Sequence, residues 1–259
     1  MEAATARRRI ITLTTDFGSR DSYVAEMKAV LLRHVPEAIV IDVTHEIPPQ
    51  DLLAGAFALE RAVAAFPAWT IHVGVVDPGV GTNRRLLLAV IRDQVVLVPD
   101  NGLITWAWRR HHGMRPYEIT WKPPQPSRTF HGRNILAPVA GMLAAGQSPD
   151  LLCREIADPV LLSVAPAAAP LKTGVVLYVD HFGNAITNVT ERLLAKATTP
   201  PRVWVAGRDL GPMRETYADV EPGQALPLIG SSGLLEIAVR NGSAVKELGI
   251  GVGDEIKFG

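Results

Sequence analysis

The first hundred residues alternate apolar, β-branched runs with amphipathic ones, and the apolar runs end in polar residues. "RIITLTTDF" (9–17) predicts a strand ending at Asp16. "SYVAEMKAVLLRHVP" (22–36) predicts a helix, with Tyr23, Met27, Val30 and Leu31 near helical spacing and Pro36 as its stop. "AIVIDVTHEI" (38–47) predicts a second strand with Asp42 and His45 at its end. "DLLAGAFALERAVAAF" (51–66) is a helix capped by Asp51, and "TIHVGVVDP" (70–78) is a third strand. Strand, helix, strand, helix, strand folds as an α/β layer, because parallel neighbours need crossover connections that then cover the sheet. "LLLAVIRDQVVLVPDNG" (86–102) adds a hairpin around Arg92–Asp93, and "NILAPVAGMLAAG" (134–146) adds a helix.

The texture then changes. "DPVLLSVAPAAAPLKTG" (158–174) is rich in Pro and Ala without helical period and reads as a linker. Beyond it, "GVVLYVD", "PRVWVAG", "GLLEIAV" and "DEIKFG" are short strand-like runs between Gly and Pro turns, the pattern of a small β-barrel or sandwich. The boundary falls between 160 and 172. The expected organisation is an N-terminal α/β sandwich with a mostly parallel sheet over 1–165, and a smaller C-terminal β-barrel domain over 166–259.

Hydrophobic residues make up 47% of the 259 and charged ones 20%, which supports a sizeable core. Formal net charge is zero, which argues against a general electrostatic grip on nucleic acid or an anionic membrane. No apolar run reaches about 18 residues, and the opening "MEAATARRRIITL" lacks the apolar stretch of a signal peptide, so a cytoplasmic protein is expected. The single cysteine, Cys153, cannot form an internal disulfide and reads as a small buried side chain rather than a nucleophile.

Asp16, Asp42, Asp77 and Asp100 are each read as closing an apolar strand. In an open α/β sheet, ligands bind outside the carboxyl ends of the strands. Aspartate is also common there as a turn former and helix cap. Asp77 stands apart: "DPGVGTNRR" (77–85) surrounds it with the Pro and Gly of a loop that wraps closely around a small molecule. Arg84 lies seven residues on, across a turn, within reach of a bidentate pair with Asp77; Arg85 is an equally valid partner. "TFHGRN" (129–134) places His131 in a loop before a helix, with Gly132 beside it. "YVDHFGNAITN" (178–188) sets Asp180, Phe182 and Asn184 at a strand end, a grouping suited to a purine and ribose or to a polar turn. "GSSGLLEIAV" (230–239) puts Ser231 and Ser232 in a Gly-flanked turn. Neither phosphate-loop fingerprint is present, and no zinc spacing occurs.

Eight blocks, in order, carry a family likeness: "TTDFG" (14–18), "YVAEMKAV" (23–30), "IDVTHEIPPQD" (41–51), "VVDPGVGTNRR" (75–85), "PDNGLIT" (99–105), "FHGRNILAP" (130–138), "VDHFGNAITN" (179–188) and "SSGLLEIAV" (231–239). Together they resemble the S-adenosyl-L-methionine hydroxide adenosyltransferases, which are related to fluorinase and chlorinase enzymes. The resemblance implies cleavage of S-adenosyl-L-methionine to adenosine and L-methionine, with water-derived hydroxide attacking the ribose 5′ carbon. It implies no cofactor and no metal, and a homotrimer with active sites at subunit interfaces. Asp77, Arg84 and His131 match the set around the attacking water. Asp16 matches the ribose contact, Asp180 and Asn184 groups near the methionine amine and adenosine, Phe182 an aromatic on the adenine, and Ser231 a methionine-carboxylate contact. Gln50, Ser232 and Arg240 depart from the pattern. The competing readings are a halogenase of the same family, a non-catalytic adenosine-binding protein, and a phosphohydrolase holding a divalent ion on Asp16, Asp42 and Asp77.

Overall fold

A computed structural model describes residues 9–163, 172–195 and 201–259. The chain divides into two units between Leu162 and Ser163. The boundary at 165/166 and residues 164–171 of the expected linker lie outside the described residues.

In the first unit, β1 (Ile10–Thr15), α1 (Tyr23–His34), β2 (Ile39–Thr44), α2 (Leu52–Ala65) and β3 (Ile71–Val75) follow the alternation read from the sequence. The hairpin β4 (Leu86–Ile91) and β5 (Gln94–Pro99) comes next. Then come α3 (Thr105–Arg110), β6 (Arg115–Ile119), a π-turn at Gly132–Leu136 running into α4 (Ala137–Ala144), and β7 (Cys153–Glu155). The sheet order is β2-β1-β3-β5-β4-β6-β7. The strands β2, β1, β3 and β5 run parallel, and β4, β6 and β7 continue antiparallel.

Alternation along β1 and β3 sorts the side chains onto two faces. Ile11, Leu13 and Val73 join Met27 and Leu31 of α1 and Leu136, Val139 and Ala140 of α4 in one buried cluster. On the other face Gly74 lies against Leu59 of α2. The two helical layers hold the parallel strands rigid, so the loops after β1, β2 and β3 leave one edge of the sheet from fixed positions. Asp51 caps α2 as its position suggested: its carboxylate accepts from the N–H groups of Leu53 (3.0 Å) and Ala54 (2.9 Å).

In the second unit every pairing between the named strands is antiparallel. The unit contains β8 (Thr173–Val179), β9 (Ala185–Thr190), the short α5 (Glu191–Leu194), β10 (Arg202–Val205), β11 (Arg208–Pro212), β12 (Ala225–Ile229), β13 (Leu234–Val239), α6 (Ala244–Leu248) and β14 (Glu255–Phe258). Its order is β11-β10-β14-β8-β9-β13-β12. Just past β11, Arg214 N–H donates to Pro227 O (2.8 Å) on the far edge strand, so the sheet nearly closes on itself. Val176, Ala185, Val203, Leu235, Ile237 and Ile256 fill its interior.

Three readings change. Asp42 sits inside β2, paired with Leu13, rather than at the strand's end. The polar-looking "AITNVT" is strand β9, because the Thr187 hydroxyl donates to Leu235 O (2.9 Å) and Asn188 accepts from Val175 N–H (2.8 Å), which satisfies both in the interior. The stretch read as the start of the linker is pinned to the first unit: Asp100 accepts from Val160 N–H (2.7 Å), and Arg85 donates to Asp158 (2.9 Å). Among the described residues no helix is long and apolar enough to cross a membrane. Asp51→Ala is expected to lower stability by about 1 kcal/mol, read as a reduced urea midpoint at unchanged m-value.

Candidate active site

The β3 strand ends at Val75, and the chain then turns through 77–84. Val80 N–H donates to Asp77 O and Thr82 N–H to Gly79 O, both at 3.2 Å, and these tight turns double the loop back. Gly81 has φ +85°, and a Cβ there would sit 3.1 Å from Arg128 O, so both conformation and space call for glycine. The doubling brings Arg84 onto Asp77. Arg84 Nε donates to Oδ1 (2.5 Å) and Nη2 to Oδ2, a bidentate fork in which both side chains are more than nine-tenths buried.

Arg85, the alternative partner, faces away and pairs with Asp100 (2.8 Å) and Asp158. The competition between the two arginines is therefore settled by the turn. Asp100 belongs to this anchoring contact rather than to the cluster around Asp77.

His131 reaches the same point from another element. It precedes the π-turn at Gly132, where a Cβ would lie 3.2 Å from both γ-methyls of Val75, so the chain passes close against β3. Arg84 Nη2 lies 3.1 Å from His131 Nδ1. A guanidinium only donates, so Nδ1 accepts and the proton of the neutral ring resides on Nε2. Burial lowers the His131 pKa, and the charge of Arg84 lowers it further; Asp77 opposes and Lys122 adds to the lowering. The imidazole is thus held neutral with a fixed tautomer. Arg84 Nη1 is buried without a hydrogen-bond partner among the described residues. The cluster therefore has spare donors and a carboxylate already clamped on both oxygens.

Asp16 follows β1, half-buried, and its Oδ2 accepts from Gln50 N–H (2.8 Å). Asp42 is held elsewhere, by Lys28 Nζ (2.6 Å), with His45 Nε2 3.0 Å away. Burial raises the Asp42 carboxyl, but the Lys28 and His45 contacts outweigh it and the pKa is lowered. Asp16, Asp42 and Asp77 do not form one ligand set: among the described residues no three His, Cys, Asp or Glu side chains stand together as a metal site would require.

Cys153 is buried, its thiol pushed up to about 11 by burial. It is therefore an unreactive core side chain.

In the second unit, Asp180 and Asn184 meet in one turn after β8. Asp180 Oδ1 accepts from the N–H groups of Phe182 (2.9 Å) and Asn184 (2.8 Å), and its Oδ2 accepts from Asn184 Nδ2 (2.9 Å). Phe182 is 73% exposed. Ser231 is exposed in the turn between β12 and β13, closed by Gly233 N–H to Gly230 O (2.9 Å). Beneath this turn lies an acid that sequence reading passed over. Glu236 is 6% exposed, and its carboxyl is raised by burial and accepts from Tyr217 Oη (2.6 Å). Its signal was a lone acid inside "GLLEIAV".

The family model for the SAM hydroxide adenosyltransferase N-terminal domain matches residues 11–153, and that for the C-terminal domain matches 174–257. The chain belongs to this family. It is 39% identical to the (R)-S-adenosyl-L-methionine hydrolase of Thermus thermophilus, over 96% of this chain and 99% of that one. It is 40% identical to the Salinispora tropica enzyme of the same name, over 95% and 96%. A fluorinase from Nocardia brasiliensis is more distant, 28% identical over the full length of both. Among solved structures, an uncharacterized conserved protein from Thermotoga maritima superposes with TM-score 0.90 at 34% identity, covering 96% of this chain and 100% of that one. In this adenosyltransferase chain the Asp77–Arg84 pair is buried on both sides, each side chain less than a tenth exposed. Arg84→Ala is expected to cost about 3 kcal/mol by leaving a buried carboxylate uncompensated; in urea unfolding, the Asp77→Ala/Arg84→Ala double variant should recover part of that loss.

Proposed function

We propose that the chain hydrolyses S-adenosyl-L-methionine to adenosine and L-methionine, with Asp77, Arg84 and His131 as the catalytic residues. The observation that carries this reading is the contact among those three side chains, in a chain whose hydrolase relatives match it nearly end to end. The substrate's sulfonium is a good leaving group, so no general acid is required and the demand falls on the nucleophile. A water oxygen forms a bond to the ribose 5′ carbon as the carbon–sulfur bond breaks; the bonding pair becomes a thioether lone pair on methionine, and one proton of the water passes to Asp77 during the attack and from there to solvent. Attack requires the water in line with the departing sulfur. Asp77, steadied by Arg84, accepts a hydrogen bond from the water through its remaining lone pairs. The Nε2–H of His131 and the spare Nη1 of Arg84 donate to the oxygen as hydroxide character develops. His131 is then a donor rather than a base, because Arg84 occupies its Nδ1.

Asp16 binds the ribose hydroxyls; Asp180, Asn184 and Phe182 serve the amine and adenosine; Ser231 contacts the methionine carboxylate. The reaction needs no cofactor and no metal, and S-adenosyl-L-methionine is the substrate. The working form is a cytoplasmic homotrimer with active sites at subunit interfaces, acting on a small molecule without nucleic acid or membrane. The residue roles and the trimer rest on the matching family positions.

Chromatography of products from S-adenosyl-L-methionine tests the reading. Adenosine and methionine should form at the same rate with or without chloride and with or without a chelator. A chlorinated nucleoside would support the halogenase alternative. Binding without turnover over hours would support an adenosine-binding protein, and loss with chelator restored by magnesium a metallohydrolase. Asp77→Ala should lower turnover by about 10²-fold or more, whereas Asp16→Ala should chiefly weaken substrate binding. The pH profile has a set sign. The neutral imidazole is the working form and its pKa is lowered. The acid limb of kcat/KM should therefore lie below the ordinary histidine value, with activity held at neutral pH, and His131→Gln should abolish that limb.

A further inference from the structure

The loops after β1 and β2 are stitched together at three points, and His45 makes two of them. Its Nδ1 lies 2.8 Å from the hydroxyl of the fully buried Thr15, and its carbonyl accepts from Gly18 N–H at 2.7 Å. These contacts bracket Asp16, one residue after Thr15 and two before Gly18. The third point is the Gln50 N–H that holds Asp16 Oδ2. Gln50 takes φ +67° to present that N–H, a left-handed backbone that costs a non-glycine residue energy and tends to persist where function requires it.

The imidazole is itself held. Nε2 lies 3.0 Å from Asp42 Oδ1, an electrostatic contact rather than an aligned hydrogen bond, and Lys28 secures Asp42 from its other oxygen at 2.6 Å. A carboxylate beside Nε2 favours a proton there. In the neutral ring Nδ1 then accepts from the Thr15 hydroxyl, whose oxygen accepts in turn from Phe17 N–H at 3.2 Å. The chain of contacts therefore runs Lys28, Asp42, His45, Thr15 and on to the backbone either side of Asp16.

The geometry points to His45 as a positioning residue for Asp16: it locks the 15–18 turn so that Oδ2 stays on Gln50 and Oδ1 is aimed at the ligand. The ligand feature read this way is a vicinal diol, and the inference rests on the proposed role of Asp16 at the ribose. His45 touches no reacting atom. Its effect belongs in binding, and it passes through one carboxylate.

The test measures adenosine and 2′-deoxyadenosine affinity by calorimetry, with KM and kcat for S-adenosyl-L-methionine. In His45→Ala, adenosine affinity should fall roughly tenfold, with a matching rise in KM and kcat within about twofold. The loss for 2′-deoxyadenosine should be about threefold or less, because one of the two aimed hydroxyl contacts is already missing. In an Asp16→Asn background the same substitution should add under about twofold, since contacts in one network do not add. His45→Asn keeps a polar partner for Thr15 and should restore most of the affinity, which keeps the assay readable if the alanine variant folds poorly. Equal losses for the two nucleosides, additive losses with Asp16→Asn, or a fall in kcat at unchanged KM would overturn the assignment. Wild-type protein that binds no adenosine would overturn the ribose reading and this inference with it. Wild-type binding with an unaltered His45→Ala variant would overturn the inference alone.

Discussion

Asp77 and Arg84 form a fork in which neither side chain has much water left to turn to. Taking both charges out of solvent is costly, and the pairing recovers that cost only if the geometry is held from outside. The surrounding first unit provides that restraint. The end of β3 fixes Asp77, the doubled loop with its left-handed Gly81 returns Arg84, and the parallel strands under two helical layers keep both in place. The pair also fixes the histidine beside it, because a donor-only guanidinium against Nδ1 leaves a single tautomer of neutral imidazole. One ion pair therefore sets the charge, orientation and hydrogen-bonding polarity of the whole cluster.

That polarity bears on the chemistry. A carboxylate clamped on both oxygens has only its remaining lone pairs for the water, and a histidine that already accepts at Nδ1 has only an N–H to offer. Such a cluster orients the water and steadies negative charge on its oxygen as the proton leaves. An S-adenosyl sulfonium needs little more, since departure of the sulfur requires no acid. The second unit supplies a different kind of surface. Asp180 and Asn184 are tied into a self-contained turn, and the exposed Phe182 and Ser231 project from tight loops of a nearly closed barrel.

Much of this was legible in the residues, for reasons that can be stated. Strand and helix periods in the first hundred residues gave the parallel layer because apolar spacing there is strong and Pro and Asp punctuate it. The Asp77–Arg84 spacing announced a fold-back, but Arg84 and Arg85 could not be separated, because one residue of turn geometry decides which guanidinium points inward. Asp42 was read as closing its strand; β2 runs two residues past it, to Thr44, and Lys28 claims the carboxylate. Strand β9 was missed because its Thr and Asn look exposed until their interior partners are known. His45 and Glu236 carry no local signal of their contacts, which come from elements distant in sequence.

The central claim is that solvent oxygen is delivered to the ribose 5′ carbon. Incubation with S-adenosyl-L-methionine in ¹⁸O-labelled water, followed by mass spectrometry of both products, tests it most directly. The account predicts one label in the 5′ hydroxyl of adenosine and none in methionine. Label in an amino-acid product, with the sulfur retained on the nucleoside, would place the attack on the other side of the sulfonium and contradict it.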